Sequence, residues 1–249
     1  MNKIAALVPI KTNSRRLPNK NFLKLGQVPM CRHIFNTLEN VENVDIYCYT
    51  SNISIMPLLP KKVRYLPRQK KYDLDSVNVQ ELFYSAIYKL ADYENILITH
   101  ATSPLLKLES IQEAIDIYLD DSNNYDSVVA SREFKKYSWF RNKPLNYNLS
   151  DSKQTNNLDP IYVETSGFYI FKRDHYLSTN CRIGLNPFFY NVTYEESIDI
   201  DEIEDFEEAT KLISLRSFGN NYIKNINQEF PKESINIVDL KQEIKLIIF

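Results

Sequence analysis

The sequence predicts an α/β fold, a mostly parallel sheet with helices on both faces. Three observations predict it. Short apolar runs of strand length alternate with longer segments whose apolar residues recur at helical spacing. The first run, Ile4–Val8, reads as a buried strand and leads into a polar loop. At 249 residues the chain can bury a full core as one large domain, or one domain with an insertion.

In order, the loop Lys11–Lys20 follows the first strand, and Pro29 opens a helix through Glu39 with Met30, His33, Ile34, Thr37 and Leu38 on one stripe. Val44–Thr50 and Lys62–Leu66 are strands. Val79–Leu90 is a helix with Leu82, Phe83, Ala86, Ile87 and Leu90 on one side. Asn95–Thr99 is a strand, Leu108–Leu119 a helix and Ser127–Ala130 a strand. The pattern then changes: 132–160 is polar and Asn-rich with scattered aromatics. Strand character returns at Ile161–Val163 and Phe168–Phe171. Val192–Ile200 reads as the last strand, and Asp201–Leu215 as a helix with Phe206, Ala209 and Leu212 inward. Beyond Ser217 the tail is ambiguous.

Composition excludes several classes. With 30 Lys+Arg against 32 Asp+Glu the net charge is −2, so neither nucleic-acid coating nor a membrane-surface role is expected. No stretch approaches a membrane span, and the apolar run at the amino end is too short for a signal peptide. A cytoplasmic protein is expected. Cys31, Cys48 and Cys181 are odd in number and widely spaced, so they read as three reduced core thiols.

Two constellations carry chemistry. Lys11, Arg15, Arg16 and Lys20 fall within ten residues, just after the carboxyl end of a central strand. Open α/β sheets bind ligands at that edge, and cations there can clamp a polyphosphate. The loop lacks the glycines of a Walker or dinucleotide motif, and taken alone it reads equally as a solvated basic turn. The second constellation is Ser197-Ile198-Asp199-Ile200-Asp201. Period-two geometry puts both carboxylates on one face, a pairing that suits Mg²⁺. The same acids also suit an ordinary helix start.

Residue by residue, Pro9-Ile10-Lys11-Thr12-Asn13-Ser14-Arg15-Arg16-Leu17-Pro18-Asn19-Lys20-Asn21 resembles the phosphate loop of the acylneuraminate and Kdo cytidylyltransferases, typically P-A-R-G-G-S-K-G-L-P-G-K-N. Pro9, Ser14, Leu17, Pro18, Lys20 and Asn21 match in register, and Arg15 is a like-charged replacement. Lys11 stands for an Arg and so loses bidentate geometry; Thr12-Asn13 replace a Gly-Gly pair. The resemblance implies a Rossmann-like nucleotidyltransferase fold with a β-rich dimerisation insertion. It implies that Lys11, Ser14, Arg15 and Lys20 wrap the CTP triphosphate, that Asn21 lies against the nucleotide, and that Asp199 and Asp201 hold the catalytic metal, Mg²⁺.

Further landmarks follow the same family. Thr50-Ser51-Asn52 resembles its T-S-D turn, Arg68 sits where an Arg lies near the base, and Asp75 matches an acid downstream. Asn78 is a candidate base or ribose contact. His100-Ala101-Thr102-Ser103-Pro104-Leu105 resembles Q-P-T-S-P-L, with His100 replacing the glutamine that meets the sugar and Thr102 and Ser103 beside it. Glu164-Thr165-Ser166-Gly167 resembles N-G-A-x-Y-I, which places Ser166 and Gly167 at the sugar pocket. Arg182-Ile183-Gly184 resembles an element before the metal strand.

The resemblance implies a single domain: a core of about 1–131 and 191–217, a dimerisation insertion of about 132–190, and a tail, 218–249. In a homodimer, Arg141, Lys143 or Lys153 would reach the partner's sugar carboxylate, and Trp139 and Phe140 would pack at the interface. The activity implied is transfer of CMP from CTP to an acidic sugar of the sialic-acid type. A sugar-phosphate acceptor, or a non-catalytic nucleotide-binding dimer, are the alternatives left open by the replacements at Asn52, His100 and Ser166 and by the lost glycines.

Overall fold

The computed structural model describes residues 3–229 apart from Asn13 and Ser152, with side chains described as far as Arg216. Residues 1–210 form one compact unit and 211–249 a second. The strands are β1 (Ile4–Pro9), β2 (Val44–Thr50), β3 (Arg64–Pro67), β4 (Asn95–Thr99), β5 (Ser127–Phe134), β6 (Ile161–Lys172) and β7 (Pro187–Asn191). The helices are α1 (Met30–Leu38), α2 (Val79–Ile87), α3 (Leu108–Leu119), α4 (Arg173–Thr179) and α5 (Ile203–Glu229).

The seven strands form one sheet in the order β7–β5–β6–β4–β1–β2–β3. Every pairing is parallel except the two made by β6. The centre is β1, paired with β2 from Ile4↔Val44 to Pro9↔Tyr49 and with β4 from Ile4↔Asn95 to Leu7↔Ile98. Its side chains alternate between two cores. Ile4, Ala6 and Val8 pack with Ile34, Phe35 and Leu38 of α1 and Ile111, Ala114 and Ile115 of α3. Ala5 and Leu7 pack with Phe83, Ala86 and Ile87 of α2 and Tyr176 of α4. The mostly parallel, doubly covered sheet is therefore present as expected.

Four details differ from the sequence reading. The two runs at 161–163 and 168–171 are one antiparallel strand, whose register shifts between Glu164 and Tyr169. With β6 and β7 in the main sheet, the stretch read as one insertion over 132–190 divides, leaving only 135–160 between β5 and β6. Cys181 is exposed, so only Cys31 and Cys48 are core thiols.

The fourth correction concerns the strand expected over Val192–Ile200, which does not form. The strand lies earlier, at Pro187–Asn191, and a Thr193-x-x-Glu196 box then turns the chain. Thr193 N and Oγ1 donate to Glu196 Oε2 at 3.1 and 2.8 Å, while Glu196 N donates to Thr193 Oγ1 at 3.4 Å. The β-branched and aromatic composition suggested a strand. A buried carboxylate needs several donors, and the turn supplies them. No described helix is long and apolar enough to cross a membrane.

Candidate active site

The loop after β1 is held at both ends. Arg68 Nη2 donates to Ile10 O at 2.8 Å, and Asn21 Nδ2 donates to Lys11 O at 2.7 Å. Leu17 is buried, which anchors the middle of the loop. Asn19 takes the left-handed conformation at φ 56°, where Asn is tolerated, and turns the chain into the short helix that carries Lys20.

Lys20 Nζ donates to Ile200 O and to Asp201 Oδ1, both at 2.8 Å. Arg16 Nη2 lies 2.5 Å from Asp201 Oδ2. The cationic turn and the paired aspartates, 180 residues apart in sequence, thus meet directly.

The aspartate segment is extended but unpaired with any strand. Ile198 and Ile200 are buried while Asp199 and Asp201 are half-buried, so the period-two alternation survives without the ladder. Ile200 N donates to Thr102 O at 2.8 Å, tying the segment to the loop after β4. The two carboxyls differ electrostatically. Burial, reinforced by Asp201, raises the Asp199 pKa against a hydrogen bond from Thr102. Burial also disfavours charge on Asp201, but Lys20 and Arg16 outweigh it and hold that carboxyl below the usual range.

On the other side of the loop, Lys11 Nζ contacts Asp75 Oδ1 at 2.5 Å and Arg15 pairs with the same carboxylate. The Lys11 hydrogen bond is the main cause of the lowered Asp75 pKa. Arg68 is nearly inaccessible. It reaches Asp73 Oδ1 at 2.6 Å and lies 5.5 Å over the Tyr49 ring. Ser51 Oγ donates to Asp73 Oδ2 at 2.5 Å. Asn52 and Asn78 serve local structure: Asn52 Oδ1 accepts from Ser54 N at 3.1 Å, and Asn78 caps α2 by accepting from Gln80 N at 2.7 Å.

The third wall follows β4. His100 is edge-on to Phe83 with centroids 6.0 Å apart. Burial, then the charges of Arg182 and Lys20, lower its pKa to about 4, so the ring is neutral at physiological pH. Thr99 Oγ1 donates to Gly167 O at 2.7 Å. Ser166 sits in the β6 irregularity at φ 59°, a region that non-glycine residues rarely adopt. A Cβ on Gly167 would lie 3.2 Å from Thr165 Oγ1 and 3.3 Å from Leu106 Cδ2, so a side chain there would press on both.

Several polar atoms of these walls are buried without a hydrogen-bond partner: Ser14 Oγ, Asn21 Oδ1, Arg68 Nε, His100 Nε2, Ser103 Oγ and Asp199 Oδ1. Native interiors rarely leave such atoms unmatched, so a polar ligand or ordered water would satisfy them here. The donor set also fits a hard divalent cation, because Asp199 Oδ1 is free and Asp201 is adjacent. Among the described residues no cluster of three metal-ligating side chains exists, so phosphate oxygens and water would complete the shell.

The sequence reading counted Arg16 among the loop cations without giving it a contact, and it missed Asp73. Arg16 adjoins Arg15, and only the docked loop reveals which of the two turns toward Asp201. Arg141, Lys143 and Lys153 are exposed, and their described contacts place none of them in this cleft.

The sequence model of the family described as "Cytidylyltransferase" matches residues 5–234. The N-acylneuraminate cytidylyltransferase of Escherichia coli O18:K1:H7 is 26% identical over 216 residues, covering 83% of this chain and 51% of the relative. The chain therefore spans about half the length of such relatives. The CMP-N,N'-diacetyllegionaminic acid synthase of Legionella pneumophila is 27% identical over 228 residues, covering 86% of this chain and 97% of the relative. A structure of CMP:2-keto-3-deoxy-manno-octonic acid synthetase complexed with CTP has a TM-score of 0.61 at 14% identity, covering 86% of this chain and 99% of that one. The 4-diphosphocytidyl-2C-methyl-D-erythritol synthase of Anaerococcus prevotii also gives 0.61, at 11% identity over 86% of this chain and 96% of its own. These structural likenesses concern the fold.

Proposed function

The chain belongs to the cytidylyltransferase family, and on that premise we propose that it transfers CMP from CTP to an acidic nonulosonic sugar with release of pyrophosphate. The observation that carries this reading is the docking of Lys20 and Arg16 on Asp201 beside the half-buried Asp199. It joins the cationic loop to a pair of carboxylates in one cleft. The names of relatives that match most of this chain, an N-acylneuraminate cytidylyltransferase and a diacetyllegionaminic acid synthase, support the acceptor class.

In this reading the loop from Lys11 to Asn21 surrounds the triphosphate. Lys20 contributes a fixed charge and Arg16 a fork. Arg68, immobilised by Ile10 O and Asp73, borders the base. His100 offers Nε2 to the sugar, flanked by Thr102, Ser103, Ser166 and Gly167. Asp199 and Asp201 would hold Mg²⁺, which offsets phosphate charge when bound. The anomeric hydroxyl oxygen bonds to the α-phosphorus in line, and the bond to the α,β-bridging oxygen breaks. Pyrophosphate leaves with the electron pair, and the hydroxyl proton passes to solvent. Exposed apolar side chains at 139–163 support a homodimer, and a cytoplasmic location is part of the same proposal.

Pyrophosphate release from CTP with N-acetylneuraminate, N,N'-diacetyllegionaminate or a sugar phosphate tests the proposal. Turnover is expected with an acidic sugar and is abolished by Asp199→Asn, with the thermal transition retained. Full activity in that variant, or turnover with the sugar phosphate alone, would overturn the reading.

A further inference from the structure

Both oxygens of Asp201 are engaged by cations of the loop. Oδ1 accepts from Lys20 Nζ at 2.8 Å, and Oδ2 lies 2.5 Å from Arg16 Nη2. Asp199 is arranged in the opposite way. It takes a side-chain hydrogen bond from Thr102, while its Oδ1 is buried without a partner. The two carboxylates proposed as metal ligands are therefore unequal: one offers an open oxygen, and the other is covered by two positive charges.

The backbone that carries them is fixed. Asp201 N and Glu202 N donate to Asp205 Oδ2 at 2.9 and 2.8 Å, and Ile200 N donates to Thr102 O at 2.8 Å. Any exchange of partners at Asp201 thus belongs to the side chains. The two cations are not alike. The Lys20 side chain is 13% exposed and is tied to Ile200 O as well. That of Arg16 is 57% exposed, and its other contact, Nη1 to Glu202 Oε1, is a long 3.7 Å. An exposed guanidinium in such a pair is weakly held and can leave it. The motif that this loop resembles has glycine at the position of Arg16, and glycine could not make the contact.

A divalent cation that binds Asp201 must displace at least one of these cations and sit beside the other, and like charges at contact distance repel. A triphosphate changes the balance. Its several charged oxygens compete with Asp201 for the guanidinium fork, and they add ligands for a hard cation. We propose that Arg16 is a latch that sets the order of loading. It holds Asp201 until the phosphates of the nucleotide draw the guanidinium away, so the metal enters with the nucleotide or after it, and not before. This rests on the functional reading above for the nucleotide and the metal, and adds a role for a residue that the motif does not supply.

The test measures the two ligands separately, on the full chain with no acceptor present. Mn²⁺ is the metal probe, followed by electron paramagnetic resonance without nucleotide, and CTP binding is followed by calorimetry in EDTA. Removing the latch should move the two affinities in opposite directions. Arg16→Ala is expected to bind Mn²⁺ roughly 3- to 10-fold more tightly than the wild type, and CTP more weakly by roughly the same factor. A general loss of structure would weaken both. Arg16→Lys keeps the charge and should stay nearer the wild type in both arms. Adding Asp201→Asn to Arg16→Ala should abolish the gain in Mn²⁺ affinity. If the alanine variant is unstable, Arg16→Gln carries the same comparison. Mn²⁺ binding that is no tighter in the Arg16 variant, a gain that survives Asp201→Asn, or an unchanged CTP affinity overturns the latch. Failure of the wild type to bind CTP at all would sink the functional reading separately, and the Mn²⁺ comparison would still decide whether Arg16 guards Asp201.

Discussion

His100 shows how one buried group links stability to pH. Its folded pKa is about 4 against an ordinary 6.5, because burial and the nearby cations disfavour the imidazolium. Between those values the unfolded chain binds a proton that the native ring excludes. Stability is therefore retained above the unfolded pKa and lost as pH falls toward about 4. Urea denaturation at about pH 7 and about pH 5 should show the wild type losing about 1–2 kcal/mol more than His100→Gln does over that interval. Equal losses would place the ring in solvent. The glutamine retains a donor and an acceptor, so turnover should persist in the variant. At this scale Lys20, Asp199 and Asp201 were legible because each lies in a compact motif. The partners of Arg16 and the part played by Asp73 were not, since pairing is decided by which way a loop folds onto a segment distant in sequence.

The turn before the aspartates does for its element what a strand ladder would otherwise do. Glu196 is 1% exposed and accepts from Lys107 N at 3.0 Å as well as from Thr193 N and Oγ1. Burial alone would raise its pKa, yet these hydrogen bonds and one from Ser110 lower it, so it is ionised and satisfied. Removing the acceptor leaves buried donors unpaired. Glu196→Ala should destabilise the fold by about 2–4 kcal/mol, read as a lower urea midpoint with unchanged m-value. It should also depress turnover, because Asp199 follows three residues later. A Glu196→Ala midpoint within error of wild type would show that the turn is held by other contacts. The sequence did contain this element, as Thr193-Tyr194-Glu195-Glu196, but strand-forming composition hid the capping box. The first strand, α1, α2 and α3 were legible because their apolar periodicity matches their burial. The limits of β6 were harder to see, because its irregularity at Ser166 splits one strand into two apolar runs.

At the scale of the molecule, the chain leaves β1 to build β2 and β3 on one side and then returns to place β4 on the other. That reversal opens the crevice where the loops after β1 and β4 meet, the place open α/β sheets use for ligands. It brings residues near 15, 100 and 200 together, which no local pattern encodes. The same architecture leaves 135–160 outside the main sheet, where Trp139, Phe140, Leu145 and Leu149 are 55–62% exposed, with Tyr162 and Val163 nearby. Scattered apolar side chains are ordinary, but six within 25 residues of chain suit an interface better than solvent. A second copy is the occupant proposed, since the family resemblance places its dimer arm here. Sedimentation equilibrium should then give a dimer for the wild type and a monomer for the double variant Trp139→Glu, Val163→Glu, with far-UV circular dichroism unchanged. Glutamates at these positions add charge that an apolar contact would have to desolvate. A wild type that remains monomeric across the concentration range would leave these side chains without the partner proposed for them.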